Sequence, residues 1–179
     1  MELEDATIGR PDRRLLWSKF RPRGGGSSSL LVGTAHLTWH GSPGNAALGV
    51  AGMEGGGPSP RINQSKACAA AMDRLADGGP CLLMGDMNDG FVPRRVLAGA
   101  GFVDCFAALG LPARPTYPQR PCTDFGEAFE SDQAYDWIFA KGGPRCLVAN
   151  VFGDLRPPPE SGGYASDHMP VAAVYEVET

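Results

Sequence analysis

Short apolar runs, broken by clusters of glycine, proline and small polar residues, recur along the whole chain. Leu15 to Phe20 and Leu30 to Thr38 read as two strands. Between them lies Arg21-Pro22-Arg23-Gly24-Gly25-Gly26-Ser27-Ser28-Ser29, a connector with turn chemistry, so the pattern predicts an antiparallel hairpin. Gly41 to Pro60 has no periodicity and reads as a long loop. From about Ile62 to about Asp77, Ala67, Ala70, Ala71 and Leu75 recur at helical spacing, and Gly78-Gly79-Pro80 ends the helix. Cys81 to Met84 is a short apolar run of buried-strand type. Pro93 to Ala100 reads as a second short helix, with proline in its permitted first turn. Gly101-Phe102-Val103-Asp104 leads into a further helical turn. Gly110 to Gln133, containing Thr116-Tyr117-Pro118, reads as loop. Tyr135 to Ala140, Cys146 to Phe152 and Pro170 to Val177 read as three more strands, with a loop from Leu155 to Ser166. No internal repeat and no domain boundary is visible. Residues 1–13 are expected to form a tail and residues 14–179 one domain.

Composition narrows the class without naming a function. The 179 residues are enough for one domain with a real core, and 42% hydrophobic with 20% charged residues is globular in character. Twenty-five glycines and 16 prolines agree with long or numerous loops. The net charge of −4 gives no overall basic field for nucleic acid. Arg10, Arg13, Arg14, Lys19, Arg21 and Arg23 cluster near the N-terminus, which reads first as a solvated strand edge and a basic loop. The five cysteines are odd in number and lack C-x-x-C spacing. A reducing compartment is expected, with Cys81 a small core residue. No run approaches the roughly 18 apolar residues of a membrane span. The acidic start Met1-Glu2-Leu3-Glu4-Asp5 has no signal-peptide core. An intracellular, cytoplasmic or nuclear protein is the expectation.

Three segments plant acids at strand rims. They are Gly85-Asp86-Met87-Asn88, Tyr135-Asp136-Trp137-Ile138-Phe139 and Ala165-Ser166-Asp167-His168-Met169-Pro170-Val171. If the chain stays extended, Asp86 and Asn88 point the same way, although Asp-Met-Asn-Asp-Gly is equally rich in turn residues. Asp167 and His168 face different ways in extended chain, so one could meet a metal and the other a nucleophile. Asp136 in an apolar strand is costly without a partner, so a His or an Arg beside it is expected. His36 and His40 lack the H-E-x-x-H pattern of a zinc helix and sit in strand-like sequence. A zinc- or phosphate-binding module on these two histidines ranks last. Three acids, an amide and an imidazole converging at strand rims suit metal-assisted attack on a phosphate ester.

The order of these pieces resembles the endonuclease/exonuclease/phosphatase, or DNase I-like, superfamily. The matching segments are Gly33-Thr34-Ala35-His36-Leu37, Arg61-Ile62-Asn63-Gln64, Gly85-Asp86-Met87-Asn88, Tyr135-Asp136-Trp137-Ile138-Phe139 and Ser166-Asp167-His168-Met169-Pro170-Val171. The resemblance covers nearly everything from Leu15 onward. It implies a two-sheet α/β sandwich and a Mg²⁺- or Mn²⁺-dependent phosphoesterase or phosphodiesterase acting on nucleic acid, phospholipid or a phosphorylated small molecule. It implies His168 as general base, Asp136 fixing its tautomer and Asp167 near the metal. Asp86 and Asn88 would orient nucleophile and phosphate, and His36 would stabilise phosphoryl charge. Arg61 and Gln64 match as substrate-contacting or structural residues. Family members also carry an early Asn and a Gln-Glu motif whose Glu binds metal. Nothing here corresponds, so the chain resembles the C-terminal portion of the domain. That departure predicts weakened metal binding and an uncovered apolar sheet face open to self-association. It also frames the alternative, a catalytically impaired remnant acting as an interaction module.

Overall fold

The computed structural model describes residues 13–23, 29–39, 60–117, 133–153 and 166–178. His40, Cys122, Arg10, the Gly41–Ser59 stretch and most of the Leu155–Ser166 loop lie outside the described residues. Strand β1 (Leu15–Phe20) pairs antiparallel with β2 (Leu30–Ala35), as the hairpin pattern predicts. Helix α1 (Pro60–Ala76) follows, then β3 (Cys81–Asp86), which lies parallel to β2. Helix α2 (Val92–Gly99), β4 (Val103–Asp104) and α3 (Cys105–Ala108) come next. Strands β5 (Asp136–Lys141), β6 (Arg145–Val151) and β7 (Val171–Glu176) complete the order. The larger sheet runs β1-β2-β3-β5-β4, and β6 and β7 form a second, two-stranded sheet.

Period-two alternation sorts the larger sheet into faces. Leu31 and Gly33 sit in register with Cys81 and Leu83, which pair on with Lys141 and Phe139. This face meets α1: a Cβ placed on Gly33 would lie 2.7 Å from the Met72 sulfur. Cys68, Ala69, Ala71 and Met72 of α1 are buried with Leu31, Leu83 and Phe139 in one core. The opposite face carries Leu16, Phe20, Val32, Met84 and Ile138, and ends at Asp86 opposite Asp136. The second sheet turns Val171, Ala173 and Tyr175 toward the core. Even so, Leu16 is 63% and Phe20 55% exposed.

Differences from the sequence reading have local causes. Helix α1 starts at Pro60 rather than Ile62, because proline suits the first helical position. Strand β2 stops at Ala35, not Thr38. Beyond it Leu37 still donates its backbone amide to the Asp86 carbonyl, but the Thr38 amide goes to the Gln64 side chain, so the ladder gives way there. Strand β3 runs on through Gly85 to Asp86. Gly85 has φ +139, and a Cβ there would run into the Ala35 carbonyl, so the strands approach closely only because this position is glycine. Within the long Gly110–Gln133 connection, Tyr117 and Gln133 form an antiparallel bridge. Cys68, Cys81, Cys105 and Cys146 are buried thiols, and burial pushes Cys68 up to about 12.

Candidate active site

The adjacent ends of β3 and β5 place Asp86 directly opposite Asp136. The segment before β7 lays His168 against both. His168 Nδ1 lies 2.7 Å from Asp136 Oδ2, across 32 positions of chain. Its other nitrogen, Nε2, is 3.9 Å from Asp86 Oδ2. His36, just past the end of β2, brings Nε2 to 3.3 Å from the same Asp86 oxygen. Two imidazoles therefore converge on one carboxylate oxygen. Ligand-type atoms of Asp86, Asp136 and His168 all lie within 4.8 Å of one another.

Local chemistry explains how each group is held. Asp86 Oδ1 accepts the Asn88 amide at 2.7 Å, and Asn88 has φ 51. The Asp-Met-Asn segment is thus an Asx-type turn and not extended chain, so Asp86 and Asn88 do not share a direction. Asn88 is buried, and its Nδ2 donates to the Leu37 carbonyl, tying the loop after β3 to the loop that carries His36. Arg61 and Gln64 work from α1 on the same loop. Gln64 accepts the Thr38 amide at 3.0 Å and donates to Thr38 Oγ1 at 2.8 Å. Arg61 pairs with Asp89 at 3.2 Å and donates to the Thr38 carbonyl. Asp89 in turn takes the Phe91 and Val92 amides at the start of α2. Asp167 lies next to His168 and outside the three-group cluster.

Electrostatics distinguish the groups. Burial pushes Asp86 up to about 6; the Asp136 charge adds to this, while the Asn88 amide, His168 and Arg13 pull it back. For His168, burial acts downward. The hydrogen bond and charge of Asp136, with the charges of Asp86 and Asp167, outweigh it and leave the ring above its ordinary value. A base and a reluctant carboxylate thus face each other.

Thr116, Tyr117 and Tyr135 were not singled out as site residues from sequence. The Tyr117 ring centroid lies 4.9 Å from that of His168, and Tyr117 stacks on Tyr135 at 5.6 Å. Thr116 Oγ1 donates to Asp136 Oδ2 at 2.7 Å. The available signal was the bracketing of Thr116-Tyr117 by Pro115 and Pro118, which marks a defined segment inside a long loop.

No family model matches the sequence, and no curated protein matches it. Solved structures do. TDP2 of D. rerio complexed with single strand DNA product superposes with a TM-score of 0.66 at 17% identity, covering 92% of this chain and 62% of that one. An endonuclease/exonuclease/phosphatase family protein of Bacteroides thetaiotaomicron gives 0.60 at 19% identity, covering 90% and 55%. The chain has the endonuclease/exonuclease/phosphatase fold. A mannosyl-6-phosphatase of Bacteroides thetaiotaomicron VPI-5482 shares this fold, with a TM-score of 0.62 at 18% identity, covering 92% and 57%. The chain spans little more than half the length of these structures. No described helix is long and apolar enough to cross a membrane.

Proposed function

We propose that this chain carries the hydrolytic centre of a divalent-metal-dependent phosphoesterase, in which His168 takes a proton from the water that attacks phosphorus. The observation that supports this most is the disposition of the His168 ring, with Nδ1 on Asp136 and Nε2 turned to Asp86. Asp136 holds the proton at Nδ1, which leaves the Nε2 lone pair as the base. The 3.9 Å from Nε2 to Asp86 Oδ2 is too long for a direct hydrogen bond and suits a bridging water. Such a water would meet a base and a carboxylate together. Asp136 then stabilises the imidazolium that forms. His36 Nε2, on the more exposed side of Asp86, is placed to donate to a phosphoryl oxygen. Asn88 and Gln64 contribute by holding the His36 loop in place.

The donor chemistry fits a hard divalent cation, Mg²⁺ or Mn²⁺, which prefers oxygen and is commonly held by one or two carboxylates plus waters and substrate oxygens. Asp86 would hold it from within the cluster it forms with Asp136 and His168, whereas Asp167, the ligand the sequence suggests, lies outside that cluster. Asp136 Oδ2 is already engaged by His168 and Thr116. Bound there, the ion would offset the negative charge of the phosphate. Among structures of this fold, one is TDP2 with a single strand DNA product and another a mannosyl-6-phosphatase, so the substrate is assigned only as a phosphate ester. The net charge of −4 disfavours a long duplex.

The test is release of product from a panel of phosphomonoesters and phosphodiesters, with and without Mg²⁺ or Mn²⁺. It is run on the 179-residue chain alone and on the chain assembled with the complementary part of the fold. The reading expects weak or absent turnover alone, and metal-dependent turnover in the assembled form that His168→Ala removes. An assembled, folded protein inert toward the whole panel would instead favour an impaired remnant acting as an interaction module.

A further inference from the structure

Thr116 is fully buried, yet it carries a hydroxyl and lies in no strand or helix. Its Oγ1 accepts the Tyr135 amide at 3.0 Å and the Asp136 amide at 3.1 Å, and donates to Asp136 Oδ2 at 2.7 Å. Both lone pairs and the single proton of the hydroxyl are thereby used. The Thr116 backbone joins the same construction: its amide donates to Gln133 and its carbonyl accepts the Met169 amide at 2.6 Å. One residue therefore touches the start of β5, which carries Asp136, and the segment next to His168. The Asp136 oxygen it holds is the one that meets His168 Nδ1.

We propose that Thr116 is a positioning residue for the His168–Asp136 pair, a role that rests on the hydrolytic reading of that pair. An aspartate side chain has two rotatable bonds. Its hydrogen bond to His168 would leave it free to swing toward solvent or toward a bound cation. The Thr116 hydroxyl, fixed by two backbone amides at the base of the same carboxylate, restricts that swing. The carbonyl bond to Met169 fixes the distance between the two loops. Thr116 thus keeps Asp136 turned to the ring and holds the imidazole in its Nδ1–H form. Tyr117, the next residue, closes one side of the ring.

The experiment is nitrogen NMR of the metal-free chain, reading the tautomer of neutral His168 in the wild type, Thr116→Ser and Thr116→Val. Histidine in water favours Nε2–H, so a dominant Nδ1–H form reports the Asp136 bond. Wild type and Thr116→Ser are expected to show Nδ1–H. Thr116→Val, close in shape but without the hydroxyl, is expected to revert toward Nε2–H. If Thr116→Val does not fold, Thr116→Ala, which leaves room for a water at the two amides, carries the same reading. Retention of the Nδ1–H form in the folded variant lacking the hydroxyl would overturn the proposal, leaving Thr116 a structural residue. Loss of that form in Thr116→Ser would overturn it as well. No turnover is needed, so this outcome is independent of whether the chain hydrolyses a phosphate ester.

Discussion

At the scale of the residue, the site sets two carboxylates, Asp86 and Asp136, against each other at neutral pH. Asp86 is the clearest case, because its folded-state pKa of about 6 lies above the 3.8 of a free carboxyl. The folded state then binds a proton more tightly than the unfolded state. Stability attributable to Asp86 is greatest at low pH and falls as pH rises from about 4 through about 6. Asp86→Asn keeps the acceptor for the Asn88 amide and removes the ionisation. It should therefore stabilise the fold at neutral pH by on the order of 2 kcal/mol, while damaging hydrolysis. Urea denaturation at acid and neutral pH checks this: the gain should vanish near pH 4. A variant less stable than wild type at neutral pH would show the carboxylate to be a net stabiliser. His168 has the same sign of pH dependence, because its pKa is also raised on folding. Its raised pKa contributes stability below its unfolded value, and this is lost as pH rises through the folded value.

At the scale of the element, the segments after β2 and β3 are tied to each other and to α1 by side chains rather than by the sheet. Gln64 is fully buried and satisfies two groups of Thr38. Gln64→Ala should cost about 1–3 kcal/mol, because it leaves a buried amide without its acceptor. Gly85→Ala should cost on the order of 3 kcal/mol, since the new Cβ meets the Ala35 carbonyl at a backbone angle L residues rarely adopt. Chemical denaturation measures both; a neutral Gly85→Ala would refute the close β2–β3 contact. The strands were legible in sequence because apolar runs such as Cys81-Leu82-Leu83-Met84 are short and punctuated by glycine and proline. The need of Asp136 for a partner was legible from its cost in an apolar strand, and His168 lies beside it. The Asn88 turn was legible only as an alternative, since turn residues and site residues share the same letters. Thr116 was not legible: its partners lie 19 and 20 positions away and meet it only once the loops cross.

At the scale of the molecule, one sheet has a face whose apolar residues remain open. Leu16 and Phe20 alternate onto the face opposite α1 and stay largely exposed. The solved structures that share the fold extend well beyond the part this chain matches, which is 55% of one and 62% of another. The isolated 179-residue chain is expected to self-associate through that face. Sedimentation velocity should show concentration-dependent growth, reduced by Leu16→Glu; a monomer at all concentrations would contradict this. The central claim, that His168 and Asp136 act together on one proton transfer, is tested most directly by a double-mutant cycle. Rates of phosphate-ester hydrolysis are measured for His168→Ala, Asp136→Asn and the double variant of the assembled protein, with thermal stability alongside. The account predicts that His168→Ala lowers the rate by about 10²–10⁴-fold, that Asp136→Asn lowers it by the same route, and that the double variant is little worse than the more damaged single one. Additive losses, or losses that follow unfolding alone, would contradict it.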